Sequence, residues 1–134
     1  LVGQGCPGAF GAPSLSVAFG DRPALGSIFV LDVGNLYSGL ALMATGLSAT
    51  ATSAGLPLPF DLAAIGMPGC QQLVDALVLD LMVSSATTAS WSWAIPADPA
   101  IFGIEFFNQA FVPDPGANAF GFAVSNAGSG RLGF

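Results

Sequence analysis

The chain has 134 residues, of which 53% are hydrophobic and 7% are charged, and its formal net charge is −6. Its two cations are Arg22 and Arg131, and histidine is absent. Binding to nucleic acid or to anionic lipid requires clustered Lys or Arg, so the composition excludes both partners. A chain of this length is expected to form one domain, spanning residues 1–134.

No segment has the roughly 18 consecutive apolar residues that a membrane-spanning helix needs. The segment from Ala76 to Val83 is short and contains Asp80, and the segment from Leu36 to Leu58 is broken by glycines and Pro57. The apolar content is still high enough for a core, which argues against disorder. We therefore predict a folded domain without a membrane span.

Turn signals rich in Gly, Pro, Asn and Asp recur along the chain, the last of them at Gly128–Gly130, and short apolar or alternating runs lie between them. This pattern is typical of an all-β sandwich or barrel. We predict a single-domain β-sandwich, jelly-roll or Ig-like, of about eight short strands with one short helical turn. In chain order, the candidate strands are Ser14–Phe19, Ser27–Val33, Leu40–Leu47, Leu73–Val83, Thr88–Ile95, Gly103–Val112 and Ala119–Ser125.

Two of these segments alternate clearly. In Ser27–Val33, Phe29, Leu31 and Val33 lie on one face of the strand and the even-numbered residues lie on the other. In Thr88–Ile95 the two tryptophans share one face. Leu73–Val83 also fits a short helix by periodicity alone, although its valines favour a strand. Asp98 followed by Pro99 predicts a single helical turn to Phe102, because Asp caps helices and Pro suits the first helical position.

The two cysteines, Cys6 and Cys70, are not spaced as a redox or metal motif. They form either a structural disulfide between the N-terminal region and mid-chain or a reactive thiol. A disulfide requires an oxidising compartment, so we expect a secreted protein, extracellular or at the cell surface.

No catalytic residues are predicted, because serine-type hydrolysis needs a base and the chain has neither His nor Lys. Carboxylate pairs such as Asp98 with Glu105, or Asp75 with Asp80, leave acid–base hydrolysis open, but scattered acids are more simply solvated. We therefore expect no enzyme activity and no cofactor.

Two weaker candidate sites remain. Asp114, Asn118 and Asn126 are oxygen ligands that suit calcium, or they are turn formers bonded to local backbone. Trp91 and Trp93 are a possible platform for sugar rings, or large aromatic residues of the sandwich core.

Several short segments of the chain carry a resemblance to a known family. They are Gly3–Gly8, Pro13–Leu15, Leu25–Phe29, Leu56–Leu62, Ile65–Cys70, Ile95–Pro96, Pro99–Ala100, Phe107–Ala110, Asp114–Asn118 and Ser125–Ala127. Together they resemble a disulfide-containing, β-rich domain that recurs in exported proteins of planctomycete-type bacteria. The resemblance covers nearly the whole chain, and its most specific parts are the two cysteine segments. It implies export, a β-rich fold and pairing of Cys6 with Cys70, and it carries no activity or site residues.

The low charge suggests a function. Edge strands usually carry lysine, which prevents strand-to-strand association, and this chain has none. We expect the structural subunit of an extracellular self-assembling filament or surface layer, whose subunits join by strand addition or apolar interfaces. The apolar residues expected to take part are Leu1, Val2, Leu132 and Phe134. The alternative is a secreted module that binds carbohydrate or another surface polymer through Trp91, Trp93 or Tyr37.

Overall fold

The computed structural model describes residues 3–18 and 21–134. Within these residues the chain forms nine strands and two short 3-10 helices. The 3-10 helices are Leu62–Ile65 and Pro99–Ile101. The strands are β1 (Ser14–Val17), β2 (Ile28–Gly34), β3 (Leu40–Gly46), β4 (Phe60–Asp61), β5 (Gln71–Gln72), β6 (Val78–Val83), β7 (Ala89–Ala94), β8 (Glu105–Pro113) and β9 (Phe122–Arg131).

The strands form two main antiparallel sheets, with orders β1-β2-β7 and β6-β3-β8-β9, and β4 pairs with β5 separately. The largest buried cluster draws apolar side chains from both main sheets, for example Leu31 on β2, Met43 on β3 and Val112 on β8. The sheets therefore face each other across one core, and the prediction of an all-β sandwich is confirmed.

Alternation explains why β2 and β7 form strands. Phe29, Leu31 and Val33 are buried, while the residues between them are at least partly exposed. Leu31 lies directly opposite Trp91 on β7, and Phe29 lies opposite Trp93. The two tryptophans share the inward face, as the sequence pattern predicted. The predicted turn at Asp98 is also confirmed, because Ala100 N–H donates to Asp98 Oδ1 at 2.9 Å.

Three local predictions need correction. Only Val78–Val83 of the segment Leu73–Val83 is a strand, because residues 73–75 lie buried against the outer face of the four-stranded sheet. The Gly128–Gly130 region, expected to turn, continues β9. Gly130 is needed there because a Cβ would lie 2.7 Å from Cζ of Phe106. The sequence prediction also missed β4, β5 and the first 3-10 helix, which are too short to show a period.

Cys6 and Cys70 form a disulfide with their Cα atoms 5.0 Å apart. The structural reading of the two cysteines is therefore confirmed, and a persistent disulfide fits an oxidising compartment. Among the described residues, no helix has the length and hydropathy required to cross a membrane.

Candidate functional site

The β1/β9 side of the sandwich is held closed by a β-bulge. The register between β8 and β9 shifts between Gln109 and Phe111, and an extra residue at such a point redirects the side chains of the bulged strand. Ser125 on β9 accepts a hydrogen bond from Ala110 N–H through its hydroxyl, at 2.8 Å. Asn126 then reaches the other sheet, where its amide accepts from Leu15 N–H at 2.9 Å and donates to Leu15 O at 3.2 Å.

The outer face of β8 and β9 is covered by the chain between β4 and β6. The fully buried side chain of Gln109 on β8 holds this segment in place by hydrogen bonds. Its Oε1 accepts from Leu73 N–H at 2.9 Å, and its Nε2 donates to Gln71 O at 2.9 Å and Ser125 O at 3.0 Å. One amide therefore satisfies three backbone groups, and its bonds to Leu73 N–H and Ser125 O are buried.

The disulfide fastens the same cover to the N-terminal segment. Cys6 N–H donates to Val124 O at 2.9 Å, so Cys6 runs beside β9. Cys70 O accepts from Leu62 N–H at the start of the first 3-10 helix. The Cys6–Cys70 bond and its neighbours Leu62, Met67 and Val124 form a second buried apolar cluster.

The predicted calcium ligands lie in and beside this covered region. Ala9 N–H donates to Asp114 Oδ2 at 2.6 Å, and Asn118 Oδ1 accepts from Gly121 N–H at 2.8 Å. Asn126 is bonded to β1 as described above. Asp114 Oδ1 is buried without a hydrogen-bond partner. The described residues contain no group of three or more His, Cys, Asp or Glu that could hold a metal. Calcium binding stays a prediction, and the amide oxygens of Asn118 and Asn126 already accept backbone hydrogen bonds.

The carboxylates proposed as acid–base pairs have separate surroundings. Asp98 caps the second 3-10 helix, and Glu105 lies 3.9 Å from Arg131 in an exposed ion pair. Such exposed pairs contribute little to stability. Asp75 is buried just before β6, whereas Asp80 lies within β6.

The β6/β7 side of the sandwich is open. β6 is the last strand of its sheet, and no further strand of the described residues pairs with it. Its outward side chains, Leu79, Leu81 and Val83, are 55%, 66% and 72% exposed. The edge therefore shows three consecutive apolar side chains of one face to solvent. We name these three residues the β6 face.

Between β6 and β7 lies a groove of about 220 Å³, lined by Thr45, Val78, Asp80, Trp91 and Trp93. Trp91 is 8% exposed, and its indole N–H donates to Asp80 Oδ2 at 2.9 Å. Trp93 is half-buried and packs edge-on against Phe106, with ring centroids 5.2 Å apart. Both tryptophans thus belong to the core and show only part of their rings to the groove. Their role as a sugar platform stays a prediction.

A second cleft, of about 350 Å³, lies at one end of the sandwich. Phe10 and Tyr37 form an exposed aromatic pair beside it, with centroids 6.1 Å apart. Hydroxyls of Ser38, Ser85 and Thr87 also line it. Exposed aromatic rings beside hydroxyls suit an uncharged, amphipathic ligand.

The residues predicted to take part in assembly have different positions. Leu1 and Val2 lie outside the described residues. Leu132 is 3% exposed and belongs to the main core. Phe134 is 77% exposed and stacks on Phe102, with ring centroids 4.6 Å apart. Of the described pair, only Phe134 has an exposed side chain.

Comparison of the chain with protein-family models, curated proteins and solved structures found no match. Its function must therefore be argued from its own residues. The sequence prediction missed the β6 face, although Leu79, Leu81 and Val83 alternate in the printed sequence. Their alternation was not recognised because residues 73–77, which precede β6, are also mostly apolar but do not form a strand. It also missed Phe10 as the partner of Tyr37, because only the fold brings these two residues together.

Proposed function

We propose that this protein is a structural subunit that assembles with copies of itself, outside the cell, into a filament or surface layer. The observation that carries the proposal is the β6 face, an apolar stretch at an open sheet edge. Native proteins usually protect such an edge with lysine, proline, a bulge or a covering segment. Here the described residues place no lysine, proline, bulge or covering segment along β6. Its one charged residue, Asp80, lines the groove and accepts the hydrogen bond of the Trp91 indole.

A polymer also needs a second contact, because a single two-fold contact closes after two subunits. The stacked pair Phe102 and Phe134 offers one. Phe102 precedes β8 and Phe134 follows β9, and β9 lies at the opposite end of the sheet order from β6. Both rings are more than half exposed. Apolar surfaces at two separated places permit an assembly that continues to grow.

The weak surface charge supports association once the subunits meet. The described charged groups are few, and the net charge of −6 is spread over eight acids and two arginines. The electrostatic repulsion between two subunits is therefore weak, and salt screens it further, with a Debye length of about 8 Å at physiological ionic strength. We expect assembly to be promoted by added salt.

Electron microscopy of the purified chain over a range of concentration and salt tests the proposal. We expect assemblies larger than a dimer, and Phe102→Ser should stop growth at small oligomers. Phe10→Ser is the matched control, since it removes an equally exposed phenylalanine from the cleft beside Tyr37. Dispersed monomers of the unmodified chain at every concentration and salt would contradict the proposal.

A carbohydrate-binding module is the second candidate, and the Phe10–Tyr37 cleft favours it. Its aromatic rings and hydroxyls are exposed, whereas the tryptophans of the groove are largely buried. Glycan screening with Tyr37→Ala and Trp93→Ala as separate variants distinguishes the two places. Loss of binding only with Tyr37→Ala would assign the ligand to the cleft, and no glycan binding by the unmodified chain would reject this candidate.

A further inference from the structure

We infer that the β6 edge pairs with the β6 edge of a second copy, antiparallel and in one register, with Leu81 opposite Leu81 of the other copy. This inference rests on the proposed self-assembly and names its first contact. The pairing would join two four-stranded sheets into one continuous sheet across a two-fold axis.

Along β6, alternate backbone groups are left free for a second strand. Ser84 N–H donates to Gly39 O directly across the β3–β6 pair, at 2.7 Å. In an antiparallel pair, hydrogen-bonded positions alternate along each strand. The even-numbered residues of β6 therefore bond to β3, and the N–H and C=O groups of Leu79, Leu81 and Val83 point outward. The three residues of the β6 face therefore carry both the exposed apolar side chains and the unpaired N–H and C=O groups.

The alternation of side chains along β6 fixes the register. Opposite residues must lie on the same face of a continuous sheet, so odd-numbered residues must oppose odd-numbered residues. With Leu81 opposite its own copy, Leu79 opposes Val83 and Val83 opposes Leu79. All three free backbone positions of each strand are then paired, and every outward pair is apolar.

Charge repulsion and the length of the free edge exclude the two neighbouring registers. Shifting the axis to Asp80 would place two carboxylates directly opposite each other, which is destabilising. In that register Val83 would have to pair with the backbone of Leu77. The Leu77 N–H is not free, because it already donates to Thr45 O and Asp75 O. Shifting the axis to Met82 would pair Leu79 with Ser85, beyond the end of β6. Only the Leu81-centred register uses the whole free edge.

The same register keeps the two Asp80 carboxylates apart. Asp80 would oppose Met82 of the second copy, and the two Asp80 residues would be diagonal neighbours, about 7–8 Å apart. Asp80 also accepts the hydrogen bond of the Trp91 indole, which an asparagine oxygen can also accept. Removing both charges with Asp80→Asn should tighten the dimer roughly two- to threefold at low salt, and high salt should abolish this difference.

Single-cysteine variants of the full chain test the register in a glutathione redox buffer. In the Leu81-centred pair, the two Cα atoms at position 81 lie about 5.5 Å apart, whereas those at position 79, or at position 83, are more than about 13 Å apart. A disulfide spans only the first distance, so we expect Leu81→Cys to form covalent dimers at least about tenfold faster than Leu79→Cys or Val83→Cys. An equimolar mixture of Leu79→Cys and Val83→Cys should crosslink as heterodimers.

The outcomes separate this inference from the proposed function. Fast crosslinking at position 81 without larger assemblies would support the register and reject the polymer. Larger assemblies in which Leu81→Cys crosslinks no faster than the other two variants would overturn the register and leave the polymer standing. Peptide mapping of the crosslinked product checks that Cys6 and Cys70 remain bonded to each other, so that each variant reports only its added thiol.

Discussion

At the β1/β9 side, Asn126 crosses between the sheets and bonds to both backbone groups of Leu15, whereas at the β6/β7 side an open groove separates the sheets. The outer face of the four-stranded sheet also differs between its two sides. Near β9 it is covered by the disulfide-linked segments and by Gln109, and at β6 it shows Leu79, Leu81 and Val83 to solvent. Unpaired edge groups are thus satisfied internally on one side and left free on the other.

This difference shows how a chain with so few charges manages its sheet edges. Charged side chains usually prevent association at an edge, and here the covered side uses buried amides, a bulge and a disulfide instead. The open side has none of these in the described residues. The comparison predicts that substitutions on the covered side lower stability, whereas substitutions on the β6 face change association.

The largest effect on stability is expected from the disulfide. Replacing both Cys6 and Cys70 with serine removes a link between residues separated by 64 positions. The chain-entropy model gives a loss of about 4 kcal/mol for a loop of this length. Urea unfolding measures the change, and a loss below about 1 kcal/mol would show that the covered side does not depend on the link.

Gln109→Ala is expected to lower the free energy of unfolding by about 3 kcal/mol. The substitution leaves buried backbone partners unsatisfied and creates a cavity. Gln71→Ala is the control, because the Gln71 side chain is exposed and its backbone carbonyl remains in place. Equal stabilities of the two variants in urea unfolding would contradict the role given to the Gln109 amide.

Asn126→Ala should cost about 1–2 kcal/mol, because it removes two hydrogen bonds to Leu15. It should also make the Leu15 amide exchange with solvent faster, since that N–H loses its acceptor. Hydrogen exchange followed by NMR measures this directly. Ser129→Ala, at an exposed position on the same strand, should leave exchange at Leu15 unchanged.

The smallest stability change is expected at the open edge. Leu81→Lys replaces a side chain that is already 66% exposed, so the free energy of unfolding should change by less than about 0.5 kcal/mol. Sedimentation velocity should nevertheless show that the larger assemblies are lost, because only the contact at Phe102 and Phe134 remains. Leu47→Lys adds the same charge at a 62% exposed leucine outside β6. If both variants associate equally, the β6 face is not the contact.

Much of the fold could be predicted because β2 and β7 alternate clearly. Two-residue strands such as β4 could not, since a period needs more residues than they have. The bulge in β9 could not either, because nothing local in Ser125-Asn126 distinguishes a bulge from regular strand. The glycines of β9 were expected to turn, but Gly128 and Gly130 pair with β8, and Gly130 leaves room for the Phe106 ring.

The sequence by itself determined the all-β class, the absence of a histidine base and the lack of lysine to protect an edge. These properties follow from composition and from local alternation of side chains. Only the tertiary structure decided which edge is covered and which is open. That distinction depends on contacts between distant residues, such as Asn126 with Leu15 and Cys6 with Cys70. Local patterns cannot encode such contacts, because a strand has the same period whether its edge is paired or free.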